Sequence, residues 1–340
     1  MKSKTRFSKN QLPHLAFMLS TAAAMGGTEM APAPAPAATS DWLKISGYAA
    51  AAYTYTDVDD GPNDHTFVDG GSPFDAVKVG FTATQGPVSA YASLFYTPGF
   101  TGVGDTEAGI LDAYLSYKVG DFTLTGGKYL SWMGYEAFDT VNMTQLSYAN
   151  SGVGAIPAYH SGIKVDYATD TFGAGFNVSD SIRGGDGFWT GDEDLGNGLG
   201  YEGYVVYKGI EKLTLWAGFA YDSTDDLADY STYDVWASYD VSAKMTVAAE
   251  IAYNNNSGAT SGVQGLAFLK YAFTDKFSTV FRFGIDEVEA GTDTSPDQYK
   301  YTVSPTYVFN DHFLMRAEVS YIDSDVTDSL FSGVQALLKF

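Results

Sequence analysis

The chain has 340 residues, no cysteine, and 41 acidic against 19 basic residues, which gives a formal net charge of −22. The lack of cysteine excludes a disulfide scaffold and cysteine-based zinc or redox sites, and the acidic balance excludes a general nucleic-acid binder. Tyr occurs 25 times, Phe 22 times and Gly 37 times, which favours strands over helices. No run approaches the roughly 18 apolar residues of a transmembrane helix, so a membrane-spanning form would have to be a barrel.

The N-terminal segment has the pattern of a secretory signal. Four basic residues within the first ten precede an apolar stretch that ends in TAAA at positions 21–24, which is the order of a charged region, an apolar region and a small-residue cleavage site. We predict a signal peptide over residues 1–24, with cleavage as late as 38 as an alternative, and an Ala/Pro-rich spacer over 25–41. A disordered N-terminus is the other interpretation.

From Leu43 onward, apolar residues alternate with small or polar ones. The run Leu213, Leu215, Ala217, Phe219 and Tyr221 is one example. The pattern recurs in about 16 segments of about 10 residues, which is typical of the strands of a transmembrane β-barrel. Aromatic residues at the segment ends fit two interfacial girdles.

The interruptions between these segments alternate between short and long. Tight turns such as Gly120-Asp121 and Asn310-Asp311 alternate with longer stretches at 56–73, 97–107, 131–157, 180–198, 223–230, 255–261, 287–297 and 323–329. Short periplasmic turns and longer outer loops are typical of bacterial outer-membrane barrels. We therefore predict an all-β, antiparallel transmembrane barrel of about 16 strands over residues 42–340, in preference to a soluble β-sandwich.

The longest interruption after the first strand is residues 131–157. It contains more large apolar residues than a free linker would. These are Trp132, Met133, Tyr135, Phe138, Met143, Leu146 and Tyr148. We expect this loop, which follows the fifth predicted strand, to fold into the barrel interior.

The two ends of this stretch, GGKYLSWMGYE and AIPAYHSGIKVDY, resemble an outer-membrane porin family, the "putative beta-barrel porin-2" or OmpL-like group. The matching positions are Gly127, Lys128, Tyr129, Gly134, Glu136, Pro157, His160, Ser161, Gly162 and Ile163. Ser131-Trp132 stands where the family often has Thr-Pro. The resemblance implies a bacterial outer-membrane porin that passes small hydrophilic solutes or ions by passive diffusion through a water-filled pore. It does not identify a solute.

Strand parity selects candidate residues for the pore constriction. Glu136 and Asp139 lie on the long loop, and the inward parity carries bases on three consecutive later strands and two earlier ones. These are Arg282, Lys300 and Arg316, with Lys164 and Lys78 as further candidates. Acids on the loop and bases on the wall would create a transverse field that orients dipolar solutes. The alternative is that the wall charges neutralise one another, with Arg316 paired to Glu318.

Lys128 falls on the outward parity of its strand, together with Phe122 and Leu124. A lysine facing lipid at mid-bilayer would cost about 2–4 kcal/mol. We expect either a β-bulge at Gly126-Gly127 that turns Lys128 inward, or a position at the membrane interface from which it reaches water.

The sequence contains no GxSxG, HExxH or P-loop motif, so we predict no enzymatic activity and no cofactor. The acidic stretch DVDDGPND at 57–64 lacks the twelfth-position Glu of a calcium loop, and His160 has no neighbouring metal ligands in the pattern, so no metal site is predicted. We expect the acidic outer loops to form a solvated rim, with divalent cations bridging lipopolysaccharide as the alternative.

The final segment ends on Phe340, which resembles the sorting signature of bacterial outer-membrane proteins. The expected surroundings are therefore outer-membrane lipid and lipopolysaccharide, with no nucleic-acid partner. A homotrimer agrees with the habit of general porins, although no subunit interface stands out. The rival function is a non-conducting outer-membrane barrel that acts as a surface adhesin or envelope anchor. A barrel hydrolase is a second rival, for which no nucleophile set can be assembled.

Overall fold

The computed structural model describes residues 42–59, 61–68, 70–98, 108–149, 157–182, 198–223, 229–256, 260–291 and 297–340. The predicted signal peptide and the Ala/Pro-rich spacer lie outside the described residues. Within the described ranges, no helix is long and apolar enough to cross a membrane.

The described residues form strands connected by turns and loops. In chain order these are β1 Leu43–Val58, β2 Asp64–Phe67, β3 Ala76–Gln85, β4 Val88–Tyr96, β5 Ala108–Val119, β6 Phe122–Leu130, β7 Tyr159–Ala168, β8 Phe172–Ser179, β9 Gly200–Ile210, β10 Leu213–Asp222, β11 Tyr230–Ser242, β12 Met245–Asn256, β13 Thr260–Ala272, β14 Phe277–Gly291, β15 Gln298–Asn310, β16 Phe313–Ser324 and β17 Ser329–Lys339. Each strand from β3 to β17 pairs antiparallel with the next, and β1 pairs with β3.

The sheet closes on itself because β17 also pairs with β1, in a register that runs from Tyr48↔Lys339 to Val58↔Ser329. The short strand β2 pairs with β1 beyond the end of β3, with Tyr53 opposite Phe67. It therefore extends the edge of the barrel above β3 and adds no spanning strand. The other strands make a closed, antiparallel barrel of sixteen strands, which confirms the predicted fold class.

Several strands extend past the ends that the alternating pattern predicted. β12 continues to Asn256 and β14 to Gly291, where loops were expected from 255 and 287, and β2 lies inside the predicted loop 56–73. Where both faces of a strand meet water, no apolar face is needed. The backbone ladder then continues without the alternation that marks a strand in the sequence.

The two faces of the wall differ in chemistry as a barrel in lipid requires. Large apolar side chains such as Leu115 and Leu124 are more than half exposed on one face. The other face buries polar and charged side chains, including Asp112, Glu202, Asp234, Arg282 and Glu318. In a closed barrel the apolar face is the outer one, which meets the hydrocarbon, and the polar face lines the interior.

The expected bulge at Gly126-Gly127 is absent. Pairing of β6 with β5 is continuous from Lys128↔Ala113 to Phe122↔Val119, and pairing with β7 is continuous as well. Position 127 requires a glycine for a different reason. Its φ is +132°, and a Cβ there would collide with the carbonyl oxygen of Ala113. Lys128 therefore keeps the outward parity and lies close to the strand end at Leu130. Of the two alternatives, the interfacial position is the one that remains.

The lipid-facing assignment predicts a depth-dependent cost of charge on β5. Leu115→Arg should lower the free energy of unfolding in lipid vesicles by about 2–4 kcal/mol, because it places a guanidinium near mid-bilayer. Val119→Arg, on the same face but beside the tight turn, should cost about 0–1 kcal/mol. Denaturant titration of both variants measures the difference, and equal costs would contradict the assignment.

Candidate pore constriction

The loop between β6 and β7, described for residues 131–149 and 157–158 and called here the β6–β7 loop, contacts inward-facing side chains from all round the barrel. Its partners include Lys78 on β3, Glu202 on β9, Asp234 on β11, Glu250 on β12, Arg282 on β14 and Glu318 on β16. One short segment reaches such distant strands only across the interior of the closed sheet. The described part of the loop therefore lies against the inner face of the wall.

Wall carboxylates accept hydrogen bonds from the backbone amides at the start of the loop. Glu202 accepts from the backbone N–H of residue 132 at 2.7 Å and from the Ser131 hydroxyl at 2.9 Å. Asp234 accepts from the N–H of residue 134 at 3.0 Å, and Glu250 from that of residue 135 at 2.5 Å. A buried amide without a strand partner is costly, and the carboxyl oxygens supply the acceptors that the sheet does not. These three carboxylates fix the path of the loop.

One acid and two bases of the wall hold the second half of the loop. Glu318 accepts from the backbone N–H of Leu146 at 2.7 Å and of Ser147 at 3.0 Å. Arg316 donates to the carbonyl of residue 145 at 2.9 Å, and Lys300 donates to the Ser147 hydroxyl at 2.7 Å and the carbonyl of residue 148 at 2.8 Å. The wall thus presents acceptors to amides and donors to carbonyls.

Arg282 joins both ends of the loop. Its Nη1 lies 2.5 Å from Glu136 Oε1 and 2.6 Å from the carbonyl oxygen of Ser147, and its Nη2 donates to the carbonyl of Tyr148 at 3.0 Å. Glu136 also accepts from the backbone N–H of residue 149 at 2.6 Å. The Glu136–Arg282 pair therefore ties the tip of the loop to its return segment.

A separate network holds the loop against β3 and β5. The ammonium of Lys78 lies 2.9 Å from carboxylate oxygens of both Asp139 and Asp112. Tyr148 donates its hydroxyl to the carbonyl of Phe138 at 2.9 Å. Burial raises the pKa of the Tyr148 phenol well above its usual range, helped by nearby Glu136 and Asp139, so this phenol remains a neutral donor.

In the structure the predicted constriction residues lie on or next to the loop, but several of them are buried. Arg282 and Arg316 are 4 % and 3 % exposed, and Lys78 is 5 % exposed. Lys164 points its ammonium over the rings of Tyr129 and Trp132, at 4.3 and 4.7 Å from their centroids, a favourable cation–π arrangement. Most of these bases thus contact the loop, and Lys78 also lines a cavity of about 430 Å³ together with Asp139.

The alternative pairing of wall charges is present in a changed form. Glu318 lies 4.0 Å from Arg282, whereas Arg316 donates to loop carbonyls at residues 140 and 145. His160 is buried and hydrogen-bonded, with its Nε2 2.6 Å from Asn177 and 3.4 Å from Glu202. Among the residues that the structure describes, no group of three or more His, Asp or Glu side chains is placed to hold a metal ion.

Sequence reasoning did not single out three wall acids that bind the loop. Glu202, Asp234 and Glu250 each stand at an inward position within an alternating strand. That parity was a usable signal, because a buried carboxylate requires a partner. Their partners are backbone amides of the loop, which no residue type or spacing in the sequence identifies.

Two cavities meet at residues 135–137. The outer one, about 240 Å³, is lined by these residues together with Glu250, Gln264 and Leu266. The inner one, about 290 Å³, is lined by the same loop residues together with Thr246, Phe268 and Lys270, which lie nearer the tight turns. Residues 135–137 therefore separate an outer chamber from an inner chamber beside β12 and β13.

Tyr135 occupies the boundary between the chambers. Its ring packs edge-on against Trp236 and Phe268, with centroid separations of 5.4 and 5.5 Å. Trp236 in turn stacks on Trp216 of the neighbouring strand at 5.9 Å. This aromatic row supports Tyr135 from the wall side and makes the boundary apolar.

On the opposite side of the barrel, the loop packs into an apolar cluster. The buried members are Tyr48, Ala76, Phe95, Leu111, Ala158 and Tyr159, with Leu130, Phe138 and Val141 packed against them. A third cavity of about 430 Å³ lies on the same side, next to the tight turns, and its lining includes Lys78, Asp139 and Val141.

Comparison with known proteins agrees with this architecture. Residues 49–336 match the family described as "Putative beta-barrel porin-2, OmpL-like", so the chain belongs to that family, as the resemblance in the sequence implied. It is an outer-membrane porin of bacteria. A comparison with curated protein sequences found no match.

Solved structures of similar fold are outer-membrane proteins. OprB of Pseudomonas putida aligns with a TM-score of 0.67 at 11 % identity, covering 88 % of this chain and 94 % of that one. The anion-selective porin of Comamonas acidovorans gives 0.64 at 12 %, covering 88 % and 99 %. The outer-membrane channel DcaP of Acinetobacter baumannii gives 0.63 at 12 %, covering 88 % and 97 %. At these identities the likeness concerns the fold alone.

The anchoring network predicts that Glu318 protects the loop from proteolysis. Glu318→Ala leaves the amides of Leu146 and Ser147 without their acceptor, which costs about 1–3 kcal/mol for each buried group. Limited digestion with chymotrypsin should then cleave within residues 131–149 several times faster than in the wild type. Glu211→Ala, at an exposed turn, should leave the rate unchanged, and equal protection of the Glu318 variant would refute the anchoring role.

Proposed function

We propose that this porin lets small hydrophilic solutes and ions diffuse passively across the outer membrane. The proposed route enters the outer chamber, passes between residues 135–137 and the wall at β12–β13, and leaves through the inner chamber. The observation that carries the proposal is that both chambers are lined by the same three loop residues. Diffusion along such a route needs no catalytic group, only an aperture and its charges, so we propose no enzymatic activity.

In this proposal the seven predicted constriction residues have two kinds of role. Arg282, Lys300 and Arg316 hold the loop in the lumen through Glu136 and loop carbonyls, and the pair of Lys78 with Asp139 holds its other side. Lys164 supports Trp132 from below its ring. Glu136 alone both anchors and borders the two chambers.

A well-anchored loop gives the aperture a fixed size. The carboxylates on β9, β11 and β12 bind three amides within four residues, so residues 132–135 have little freedom to move. We propose that solute size is limited at Tyr135, whose ring is backed by Trp236 and Phe268.

Single-channel recording of the purified protein in planar bilayers tests the proposed function. Stepwise current increases on insertion are expected, with a conductance that scales with salt concentration. A barrel that is folded, as judged by heat-modifiable migration on a gel, yet gives no current steps would favour the rival role as a non-conducting adhesin or anchor.

Replacing Tyr135 should widen the aperture. In Tyr135→Ala the aromatic ring is removed from the boundary of the chambers, so single-channel conductance should rise by about twofold or more, and larger neutral sugars should enter liposomes faster. Tyr239→Ala, which removes an exposed ring from the lipid face, is the matched control and should conduct like the wild type. A Tyr135 variant with wild-type conductance would place the limiting aperture elsewhere.

Removing two anchoring bases should loosen the loop. The double variant Arg282→Ala/Arg316→Ala removes the cationic partner of Glu136 and the donors to the carbonyls of Ser147 and Gln145, at a cost of about 1–3 kcal/mol per buried group left unsatisfied. We expect altered conductance, noisier open-channel current and changed ion selectivity. Lys208→Ala/Lys276→Ala removes the same charge from exposed positions near the tight turns and should behave like the wild type. Unchanged conductance and selectivity in the arginine double variant would contradict the role of these bases.

A further inference from the structure

Lys270 faces the inner chamber from β13. Its position has the inward parity shared by Leu266 and Phe268, and it stands directly opposite Thr246 of β12. The chamber wall near it is polar, with Asn142, Thr144, Gln145 and Thr246 alongside Lys270, and the hydroxyls of Thr144 and Thr246 donate to Gln145 and Asp240. A cation surrounded by hydroxyl and amide groups is a suitable environment for an oxyanion.

Lys270 differs from the inward-facing bases that hold the loop. Arg282 pairs with Glu136, and Lys78 with Asp112 and Asp139. Lys300 and Arg316 donate to loop carbonyls. In the part of the chain that the structure describes, by contrast, no carboxylate forms an ion pair with Lys270.

The other charge bordering the inner chamber is already neutralised. Glu136 is paired with Arg282 at 2.5 Å and also accepts from the Gln145 amide at 2.6 Å. Among the residues that line this chamber, Lys270 therefore supplies the unpaired charge, and the nearby carboxylate of Asp240 is hydrogen-bonded to the Thr246 hydroxyl. Between low-dielectric walls such a charge acts strongly on ions, within a Debye length of about 8 Å at physiological salt.

Among the described residues, the lining of the outer chamber contains carboxyl groups and no base. Its wall includes the carboxylate of Glu250, whose described partner is the backbone N–H of Tyr135. A solute thus meets an acid before the Tyr135 boundary and a base after it.

We propose that the inner chamber is a binding subsite for an oxyanionic group, a carboxylate or a phosphate, on the permeating solute, and that Lys270 is the residue that binds it. This inference rests on the proposed function, since it assigns chemistry to the same route. Lys270 is then a selectivity-determining residue, whereas the arginines and Lys300 keep the aperture in shape.

The test compares Lys270→Gln with Lys270→Arg and with Lys244→Gln, which removes the same charge from the exposed β11–β12 turn. Reversal potentials are measured across bilayers in a KCl gradient. Current block is then titrated with malonate and, separately, with inorganic phosphate, added from the side of the tight turns.

Lys270→Gln should shift the reversal potential toward K⁺ selectivity and raise the half-blocking concentration of at least one anion by about tenfold, as expected for losing a charge-assisted hydrogen bond. Lys270→Arg and Lys244→Gln should stay within about twofold of the wild type. Block by malonate alone, or by phosphate alone, identifies which oxyanion the subsite takes.

Two results overturn the inference, and they are distinguishable. If the wild type conducts but Lys270→Gln has its reversal potential and its block by both anions unchanged, the subsite is refuted while the porin function stands. If the folded wild type passes no current, the proposed function itself fails, and the subsite with it.

Discussion

The hydrogen bond from a loop amide to a wall carboxylate is the interaction on which the interior of this barrel depends. A loop that leaves the sheet and enters an enclosed space brings N–H and C=O groups without ladder partners, and each one is costly unless it is paired. Four inward carboxylates accept amides of the β6–β7 loop, namely Glu202, Asp234, Glu250 and Glu318. Arg282, Lys300 and Arg316 do the same for its carbonyls.

This use of the wall charges changes how the pore chemistry should be understood. Charges that line a porin are readily assumed to act on the solute, yet most of those described here are buried beneath the loop and act on its backbone. The route that remains beside β12 and β13 has few charged groups of its own. An apolar boundary at Tyr135 lies between Glu250 on the outer side and Lys270 on the inner side, so the size of the aperture and the charge of Lys270 would together determine passage.

The barrel was predictable because its physical requirement repeats in every strand. Lipid demands an apolar residue at alternate positions, as at Leu115 next to Ser116, and this period is visible in the sequence. The alternation fails above the membrane, which is why β2 and the outer ends of β12 and β14 were missed. A bulge at Gly126-Gly127 was one of the two alternatives for Lys128, whereas the close approach of β5 at Gly127 explains that glycine.

The candidate site was predictable only in part. Parity gives the direction of a side chain but not its height along the pore, nor which loop atom it meets. Glu136 and Arg282 are 146 positions apart, and their contact depends on the strand stagger and the loop path together. For the same reason, Lys270 shares the parity of Arg282 and Arg316 but reaches open space, a difference that appears only when the loop is in place.

The central claim is that residues 135–137 border the route of the solute. The chain has no cysteine, so Ala137→Cys creates a single thiol that can be labelled during single-channel recording with a charged methanethiosulfonate. The account predicts a stepwise fall in current as the thiol reacts, with reagents of opposite charge changing ion selectivity in opposite directions. Complete labelling, verified by mass spectrometry, with no change in conductance or selectivity would contradict it.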